Sequence, residues 1–454
     1  MLPVERKSTA AVSLLAALSL GPPPALALGE TPTIPETFTI ETDAGRPSDR
    51  FGSSVALGEG IAAIGAPRLA DPFGPDGAVF LFDPMTGDEI ASIRSSCATD
   101  SSLFGSEIAI AGQTLTISAP LEQQSETIAG AVYVYDITTQ QLLHVLSPDS
   151  DEWIYRFGTK VAVNESVIAV SAYRTGGRTF QSGSVFLFDR VTGQQIAELQ
   201  PEGGSDSDDF GASMSMTEDR LVVGAYTDDE QGGIAGAAYL FDLSDRSQIA
   251  KLIAIDSPSR FFGSSIAMDD QTIAVGNPFN NDNGPAVGAV HLYDASTGAP
   301  LRRIDPEQIA ESIGFGFNVS VGSGLVFIAS GLPEDTTRTV VRVVDIATGE
   351  QRASLLPDSV MPAQRFGAAI AARDSTVLIG APYFQGSTPP GQAFVFSLAC
   401  QGDTTSDGTV DLADLNLVLA NFGLQTLDGD ANSDGIVDLA DLNIVLASFQ
   451  TDCF

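Results

Sequence analysis

The chain has 454 residues, with 58 acidic against 22 basic side chains and a formal net charge of −36. A charge of that size repels nucleic acid and anionic membranes, so both are excluded as partners. The length accommodates one large repeat domain with a smaller appendage, and the 45 glycines favour short strands and turns over long helices.

Residues 1–27 are predicted to be a signal peptide. Arg6 and Lys7 precede an apolar run, residues 10–20, that is too short to span a bilayer, and residues 25–27 read Ala-Leu-Ala, a cleavage-site pattern. The alternative is a membrane anchor. We expect the mature protein to be secreted, either extracellular or at the cell surface, with no membrane span after cleavage. Residues 28–36 are predicted to be a linker.

A Phe-Gly pair recurs every 51 to 53 residues between residues 37 and 399. Its phenylalanines are Phe51, Phe104, Phe157, Phe210, Phe262, Phe315 and Phe366. Each copy continues with a strand ending in a Gly-Ala-Pro-like trio, an aromatic strand and a short amphipathic strand. Four short strands repeated seven times predict a mainly β fold, a seven-bladed β-propeller, with an open solenoid as the alternative.

The last copy stops after its third strand, near Leu398. Residues 38–43 resemble the fourth strands of the other copies, so we expect them to complete the last blade and close the ring. The strands of the Gly-Ala-Pro-like trios carry small side chains and are expected nearest the axis, with the aromatic strands farther out. The Phe of each Phe-Gly pair is expected to pack between neighbouring blades.

These landmarks resemble the FG-GAP repeat, known from integrin α subunits and many secreted bacterial proteins. The resemblance implies the propeller fold. Several integrin repeats also carry a calcium loop of the form Asp-x-Asp-x-Asp-Gly, and the corresponding loops of this chain lack that spacing. Residues 280–284, Asn-Asn-Asp-Asn-Gly, are the one weak candidate, so the fold is carried over without the propeller calcium sites.

Two twelve-residue acidic loops lie in the C-terminal domain, residues 400–454. Oxygen donors at positions 1, 3, 5, 7, 9 and 12, with Gly at position 6, surround a hard divalent cation, so the loops predict two Ca²⁺ sites. The alternative is a pair of acidic turns in a flexible tail. The predicted ligands of the first site are Asp403, Thr405, Asp407, the carbonyl of Thr409, Asp411 and Asp414. Those of the second site are Asp430, Asn432, Asp434, the carbonyl of Ile436, Asp438 and Asp441.

A helical pattern follows each loop, and we expect the two helices to pack face to face. Its apolar residues are Leu415, Val418, Leu419 and Phe422, and then Leu442, Val445, Leu446 and Phe449. A loop with Asp at position 12 and no entering helix resembles the dockerin type I module. That resemblance implies docking to a cohesin domain on a scaffold or cell surface. Loop positions 10 and 11 help to select the cohesin, which assigns partner binding to Leu412, Ala413, Leu439 and Ala440. The alternative is a calcium-stiffened tag with another surface ligand.

Cysteine and histidine offer no catalytic pattern. Cys400 and Cys453 bracket the C-terminal domain and are a candidate disulfide in an exported protein, whereas Cys97 stands alone. His144 and His291, the two histidines of the chain, fall within repeat strands and are expected to pack there. The sequence contains no nucleophile elbow, zinc cluster or phosphate loop.

The sequence therefore predicts a secreted, non-catalytic binding or adhesion protein. Its propeller presents a surface to a protein or glycan ligand, and its tail docks through calcium. The alternative is an extracellular polysaccharide hydrolase or lyase acting in the propeller funnel, because a glycosidase needs only two well-placed carboxylates and the chain has 58 acidic residues.

Overall fold

The structure is a computed structural model that describes most of the chain beyond residue 32. The described ranges are 33–42, 49–69, 77–94, 102–123, 129–149, 154–172, 183–202, 208–255, 260–282, 286–306, 313–331, 339–357, 365–383, 391–398, 402–404, 409–426, 429–431, 436–449 and 451–452. The predicted signal peptide and Cys97, Cys400 and Cys453 lie outside these ranges.

Seven antiparallel sheets form a ring and are called blades 1 to 7, in the order of their Phe-Gly pairs. Two short strands precede them: β1 (Thr33–Ile34) and β2 (Phe38–Ile40). Blade 1 contains β3 (Val55–Gly58), β4 (Ile61–Ala66), β5 (Ala78–Phe82) and β6 (Glu89–Ile93). Blade 2 contains β7 (Ile108–Ala111), β8 (Thr114–Gln123), β9 (Ala129–Asp136) and β10 (Leu142–Leu146). Blade 3 contains β11 (Val161–Val163), β12 (Val167–Ala172), β13 (Ser184–Asp189) and β14 (Gln195–Leu199).

The other four blades repeat this order. Blade 4 contains β15 (Ser213–Met216), β16 (Arg220–Ala225), β17 (Ala237–Asp242) and β18 (Gln248–Leu252). Blade 5 contains β19 (Ser265–Met268), β20 (Thr272–Asn277), β21 (Ala289–Asp294) and β22 (Pro300–Ile304). Blade 6 contains β23 (Ile313–Gly322), β24 (Leu325–Gly331), β25 (Thr339–Asp345) and β26 (Gln351–Leu355). Blade 7 contains β27 (Ala369–Arg373), β28 (Thr376–Ala381) and β29 (Gln392–Ser397), with β2 as its fourth strand.

Strand β2 closes the ring, as predicted for residues 38–43. β2 pairs antiparallel with β29, with Phe38 opposite Val395. β1 adds to blade 6 as a fifth strand, parallel to β26, and Ile34 packs against the core between blades 6 and 7. The prediction of a linker over residues 28–36 is therefore wrong for Thr33 and Ile34. The pairing of β1 covers the sheet edge that β26 would otherwise expose.

The first strand of each blade lies nearest the axis. Neighbouring first strands contact one another round the whole ring, from β3 through β7, β11, β15, β19, β23 and β27 and back to β3. The expectation that the Gly-Ala-Pro strands lie nearest the axis is therefore wrong by one strand. They are second from the axis and almost completely buried, so their small residues permit close contact between blades.

Each Phe-Gly phenylalanine packs between two blades, as predicted. Phe51 is fully buried among Leu378 and Val395 of blade 7 and residues of blade 1, including Phe80, which its ring meets edge to face at 5.7 Å. Phe104 fills the same position between blades 1 and 2 against Tyr133. Edge-to-face rings add to the stabilisation that burial provides.

Glycines allow the backbones of adjacent blades to touch. A Cβ on Gly65, in the Gly-Ala-Pro trio of blade 1, would lie 2.2 Å from the carbonyl oxygen of Gly105 in blade 2. Gly380 of blade 7 has the same relationship with Gly52 of blade 1, at 2.1 Å. Blade 7 thus packs against blade 1 through the same contact between two glycines that joins blade 1 to blade 2.

The described part of the tail contains β30 (Thr409–Val410), α1 (Leu412–Asn421), α2 (Leu439–Ala447) and β31 (Thr451–Asp452). The helices contact each other over a small core. Its buried residues are Val410, Val418, Val437 and Val445. The apolar face predicted for each helix is wider than the face that is buried, because Leu419, Phe422 and Leu446 are exposed. A seam between two short helices buries few positions on each. Among the described residues, no helix is both long and apolar enough to cross a membrane.

Candidate functional site

Each acidic loop of the tail ends in the N-terminus of a helix. Asp411 caps α1 by accepting a hydrogen bond from Ala413 N at 2.6 Å, and Asp414 Oδ2 accepts one from Asp411 N at 2.8 Å. Asp438 and Asp441 repeat this arrangement at α2, at 2.7 and 2.8 Å. Loop positions 9 and 12 therefore form a capping box, which fixes the twelfth residue relative to the helix.

Backbone hydrogen bonds join the two halves of the tail. Val410 of the first loop pairs with Thr451, which follows α2. Val437 of the second loop donates from its N–H to the carbonyl of Leu424, which follows α1, at 3.0 Å. Both pairs are related by the 27-residue repeat, so the halves form one unit with approximate two-fold symmetry. Val410 and Val437 also share the small core.

Asp414 and Asp441 provide the test of whether a cation fits these loops. Both side chains are completely buried. A buried carboxylate is costly unless it is hydrogen-bonded, paired with a charge or bound to a metal. Carboxylates and carbonyls are also the hard oxygen ligands that Ca²⁺ prefers. The residues present therefore fit the predicted ion.

The described residues hold only part of each predicted ligand set. Within them, no group of three or more His, Cys, Asp or Glu side chains is placed to hold a metal. Thr405, Asp407, Asn432 and Asp434 lie outside the described residues, as does the side chain of Thr409. The described members of the sets are Asp403, Asp411, Asp414, Asp430, Ile436, Asp438 and Asp441. A complete site thus requires residues 405–408 or 432–435.

The predicted partner-binding residues lie on the surface of the tail. Leu412 and Leu439 are each 63% exposed, and Ala413 and Ala440 are exposed beside them. Leu419 and Leu446, two turns further along the same helix faces, are exposed as well. The sequence argument assigned these two leucines to the core and so missed them as surface residues.

The centre of the propeller is a channel of about 420 Å³ lined by the first strands. Of its described lining residues, Glu107 alone carries a carboxylate, and it forms an ion pair with Lys160 of the next blade at 2.8 Å. Elsewhere Ser54 and Ser265 each donate a hydrogen bond to a glycine carbonyl of the following blade. These polar groups hold the blades together.

The histidines and the one candidate propeller loop have structural partners. His291 is buried against Phe262 as expected, and its Nδ1 accepts a hydrogen bond from Ile255 N at 3.1 Å. The half-buried His144 lies in β10 near the carbonyl of Val191. In the Asn-Asn-Asp-Asn-Gly loop, Asp282 forms an ion pair with Arg303 at 2.8 Å, and the last two residues of that loop lie outside the described ranges.

The FG-GAP repeat family model matches residues 194–241 and 247–293. Those two segments are similar to the FG-GAP repeat. Each matched segment joins the fourth strand of one blade to the first three strands of the next, which places the FG-GAP repeat across a blade boundary. The chain is thus a seven-bladed propeller in which two segments match the FG-GAP repeat, with a tail of two short helices among the described residues. No curated protein matches the chain.

Proposed function

We propose that this protein is a secreted, non-catalytic binding or adhesion protein with two separate contact surfaces. The FG-GAP propeller presents the ligand surface, and the C-terminal module docks to a cohesin-type or other surface partner in a calcium-dependent manner. Asp403, Asp411, Asp414 and the equivalent residues of the second loop would hold the ions, completed by Thr405, Asp407, Asn432 and Asp434. A predicted Cys400–Cys453 disulfide would tie the ends of the module.

The observation that carries the docking proposal is the pair of exposed leucines, Leu412 and Leu439, next to buried acids. Each leucine directly follows a capping aspartate and precedes a completely buried one by two residues. Ordering of the loop by calcium would therefore orient the leucine. A repeated apolar surface on a small module is typical of a protein contact site.

The channel supports a non-catalytic role for the propeller. Glycoside hydrolysis ordinarily requires two carboxylates flanking the scissile bond. The described lining of the channel offers Glu107, and Lys160 already neutralises it. The channel therefore lacks a carboxylate pair among its described residues, and we favour ligand binding over hydrolysis.

Capture of partners from envelope extracts tests the docking surface. We expect the full-length protein to retain a partner in calcium and to release it in EDTA. Leu412→Asp combined with Leu439→Asp should lose the partner while the protein stays folded. Val191→Asp is the control, because Val191 is an apolar residue on the propeller that is exposed to a similar degree, 75% against 63% for the two leucines. Capture that persists in EDTA and in the double variant would refute docking through this surface.

A further inference from the structure

The outermost strand of a blade has one side that no strand of its own blade covers, and blade 6 shows how that side can be occupied. There β1 lies parallel to β26, with Thr33 opposite Ser354 and Ile34 opposite Leu355. The carbonyl of Ile34 accepts a hydrogen bond from Leu356 N at 3.4 Å. Ile34 also packs against the core between blades 6 and 7. An added strand on this propeller is therefore held by backbone pairing and by one apolar side chain.

A β-bulge divides each of these outer strands. The bulge in β26 precedes the residues that pair with β1, and the bulge in β10 of blade 2 lies immediately before His144. Counted from the bulge, Val145 occupies in β10 the position that Ser354 has in β26. Leu146 likewise corresponds to Leu355, and both leucines are buried. The regular part of β10 therefore matches the part of β26 that β1 covers.

The edge of blade 2 differs from the other edges at the position of Val145. This position directly precedes the buried side chain that ends the outer strand. In the other six blades it is polar or charged: Ser92, Glu198, Lys251, Arg303, Ser354 and Thr39. Val145 is apolar and 42% exposed. A charge on an edge strand discourages pairing with another chain, whereas a β-branched apolar residue favours it.

The rest of β10 also suits the addition of a strand. Leu142 and Leu143 are exposed, and the strand contains no Asp, Glu, Lys, Arg or Pro. The outer strands of blades 1, 3, 4 and 5 each contain at least one charged residue. In the described part of the chain, no strand pairs with the outer side of β10. An exposed apolar edge of this kind is a template for strand pairing.

Leu146 places this edge beside an apolar core. It belongs to the core between blades 2 and 3, together with Ile154 and Phe157. In blade 6, Leu355 belongs to the core against which Ile34 packs. A strand laid along β10 in the register of β1 would bring one of its side chains next to Leu146, as β1 brings Ile34 next to Leu355.

The charge of the chain restricts the partner. A second copy carries the same formal charge of −36, so pairing of two β10 strands would bring two strongly acidic molecules together. An acidic segment of another protein is disfavoured for the same reason. The strand that covers the equivalent edge of blade 6 is a short extended segment with one β-branched apolar residue, Ile34. These observations favour a segment of that kind from a different protein.

We propose that the outer edge of blade 2 binds an extended segment of a partner protein, which adds to β10 as a fifth, parallel strand. The segment carries a β-branched apolar residue opposite Leu146 and no acidic side chain. Backbone hydrogen bonds to β10 provide affinity, and the contacts with Val145 and Leu146 provide selectivity. The inference rests on the proposed binding function and names an extended apolar peptide segment as a ligand of the propeller.

Peptide binding to the full-length protein tests the proposal at constant calcium. The probe is a short fluorescent peptide in which threonine and isoleucine alternate between terminal lysines. Its control has proline in place of the central isoleucine, which removes the backbone N–H of that residue. We expect fluorescence anisotropy to show at least about tenfold tighter binding of the first peptide. Hydrogen exchange should show that this peptide protects β10 and leaves β6 unchanged.

Variants locate the site. Val145→Lys introduces at this edge the residue type that Lys251 provides at the equivalent position of blade 4, so the fold should tolerate it. It should weaken peptide binding at least about tenfold, because edge lysines oppose strand pairing. Ser92→Lys is the matched control, since it adds the same charge at the equivalent position of blade 1, and it should leave binding unchanged. Unchanged melting temperatures confirm that both variants are folded.

Three results would reject β10 as a strand-binding edge: equal affinity for the two peptides, equal loss in Val145→Lys and Ser92→Lys, or no binding of either peptide. A dimer in analytical ultracentrifugation that Val145→Lys abolishes would assign the edge to a second copy and overturn the proposal. The proposed docking fails by a different measurement, because it depends on calcium and on the tail leucines Leu412 and Leu439. Partner capture through the tail with no peptide bound at β10 would therefore reject this inference alone.

Discussion

Asp414 accepts a hydrogen bond from the backbone N–H of Asp411 at 2.8 Å while its own side chain is completely buried. Asp441 and Asp438 repeat the relationship at the same distance. The twelfth residue of each loop therefore serves the helix cap through Oδ2. Its burial is costly unless its charge is compensated, and a bound cation would provide that compensation.

Calcium titration of the full-length protein should show two sites in the tail. Asp414→Asn keeps the shape of the side chain but removes its charge, so one site should weaken at least about tenfold while the other remains. Calorimetry measures both. Asp374→Asn is the control, since Asp374 is almost fully exposed on a propeller turn. Two unaltered sites in Asp414→Asn would contradict a role for Asp414 in calcium binding.

Gly65→Ala should destabilise the propeller by about 2 kcal/mol or more, because the new Cβ would clash with the carbonyl of Gly105. Gly322→Ala is a matched control. Its Cβ would have its nearest neighbour, Ala372 Cβ, at 3.5 Å, an ordinary contact. Denaturant unfolding measures both variants. Similar stabilities would show that blade contact does not depend on the glycine pair.

Asn277→Ala should stabilise the protein by about 1 kcal/mol. Asn277 is completely buried, and neither atom of its amide has a hydrogen-bond partner in the structure. Leaving a buried polar group unsatisfied costs about 1–3 kcal/mol. Alanine occupies the same repeat position in five other blades, as Ala66, Ala119, Ala172, Ala225 and Ala381.

Asn164→Ala is the matched control for Asn277→Ala and should destabilise by about 1–3 kcal/mol. The buried Asn164 donates to the carbonyls of Thr217 and Glu218 and accepts from Val167 N. Thermal or denaturant unfolding compares the two variants. Destabilisation by Asn277→Ala would contradict the prediction that the unsatisfied amide costs more than the packing it provides.

His291 should make stability depend on pH between about 6.5 and 4. Burial, with the charge of Arg303, lowers the pKa of His291 from 6.5 to about 3. Below pH 6.5, His291 therefore binds a proton in the unfolded chain but not in the folded chain. The free energy of unfolding has no His291 penalty above pH 6.5 and falls as the pH drops toward 3. The slope of one such group is at most about 1.4 kcal/mol per pH unit.

His291→Phe tests this dependence. Blades 1 and 3 carry Phe80 and Phe186 at the equivalent position, so the ring should fit. Unfolding free energies measured from pH 7 to 4 should lose the His291 slope in this variant and keep it in His144→Phe. An identical pH profile for wild type and His291→Phe would reject the assignment.

The turns between third and fourth strands add a second acid-sensitive element below that range. Hydrogen bonds from Ser296 and Thr297 lower the pKa of Asp294 from 3.8 to about 2. Its folded pKa lies below the unfolded value, so its contribution is present above about pH 4 and is lost as the pH falls toward 2. Asp294→Asn should lower stability at pH 7, where the contribution is present, and should reduce the fall in stability between pH 4 and 2, measured by acid unfolding.

Much of the propeller could be predicted because each sequence repeat makes the same packing contacts. Each Phe-Gly pair marks the same packing position. The series from Phe51 to Phe366 therefore indicated the number of blades and the places where one blade meets the next. The fourth strand of blade 7 followed from Phe38–Ile40, because an antiparallel edge needs a partner. The strand order within a blade was misjudged, since small side chains suit contact between blades as well as closeness to the axis.

The tail shows the limit of local patterns. Leu419 and Leu446 keep helical spacing with Leu415 and Leu442, four residues earlier, yet they face outward because the seam between the helices is narrow. Periodicity identifies an apolar face but not how much of it a partner helix covers. That extent depends on the angle and distance at which two helices meet.

By itself, the sequence determined the repeat, the number of blades, the closing strand and the two acidic loops, because each is a local pattern written more than once. The tertiary structure decided which residues from distant copies meet. Gly52 and Gly380 are separated by most of the propeller sequence and become neighbours only because the ring closes. Asp414 and Asp441 look like ordinary loop acids until packing buries them, and burial depends on surfaces that no single segment contains.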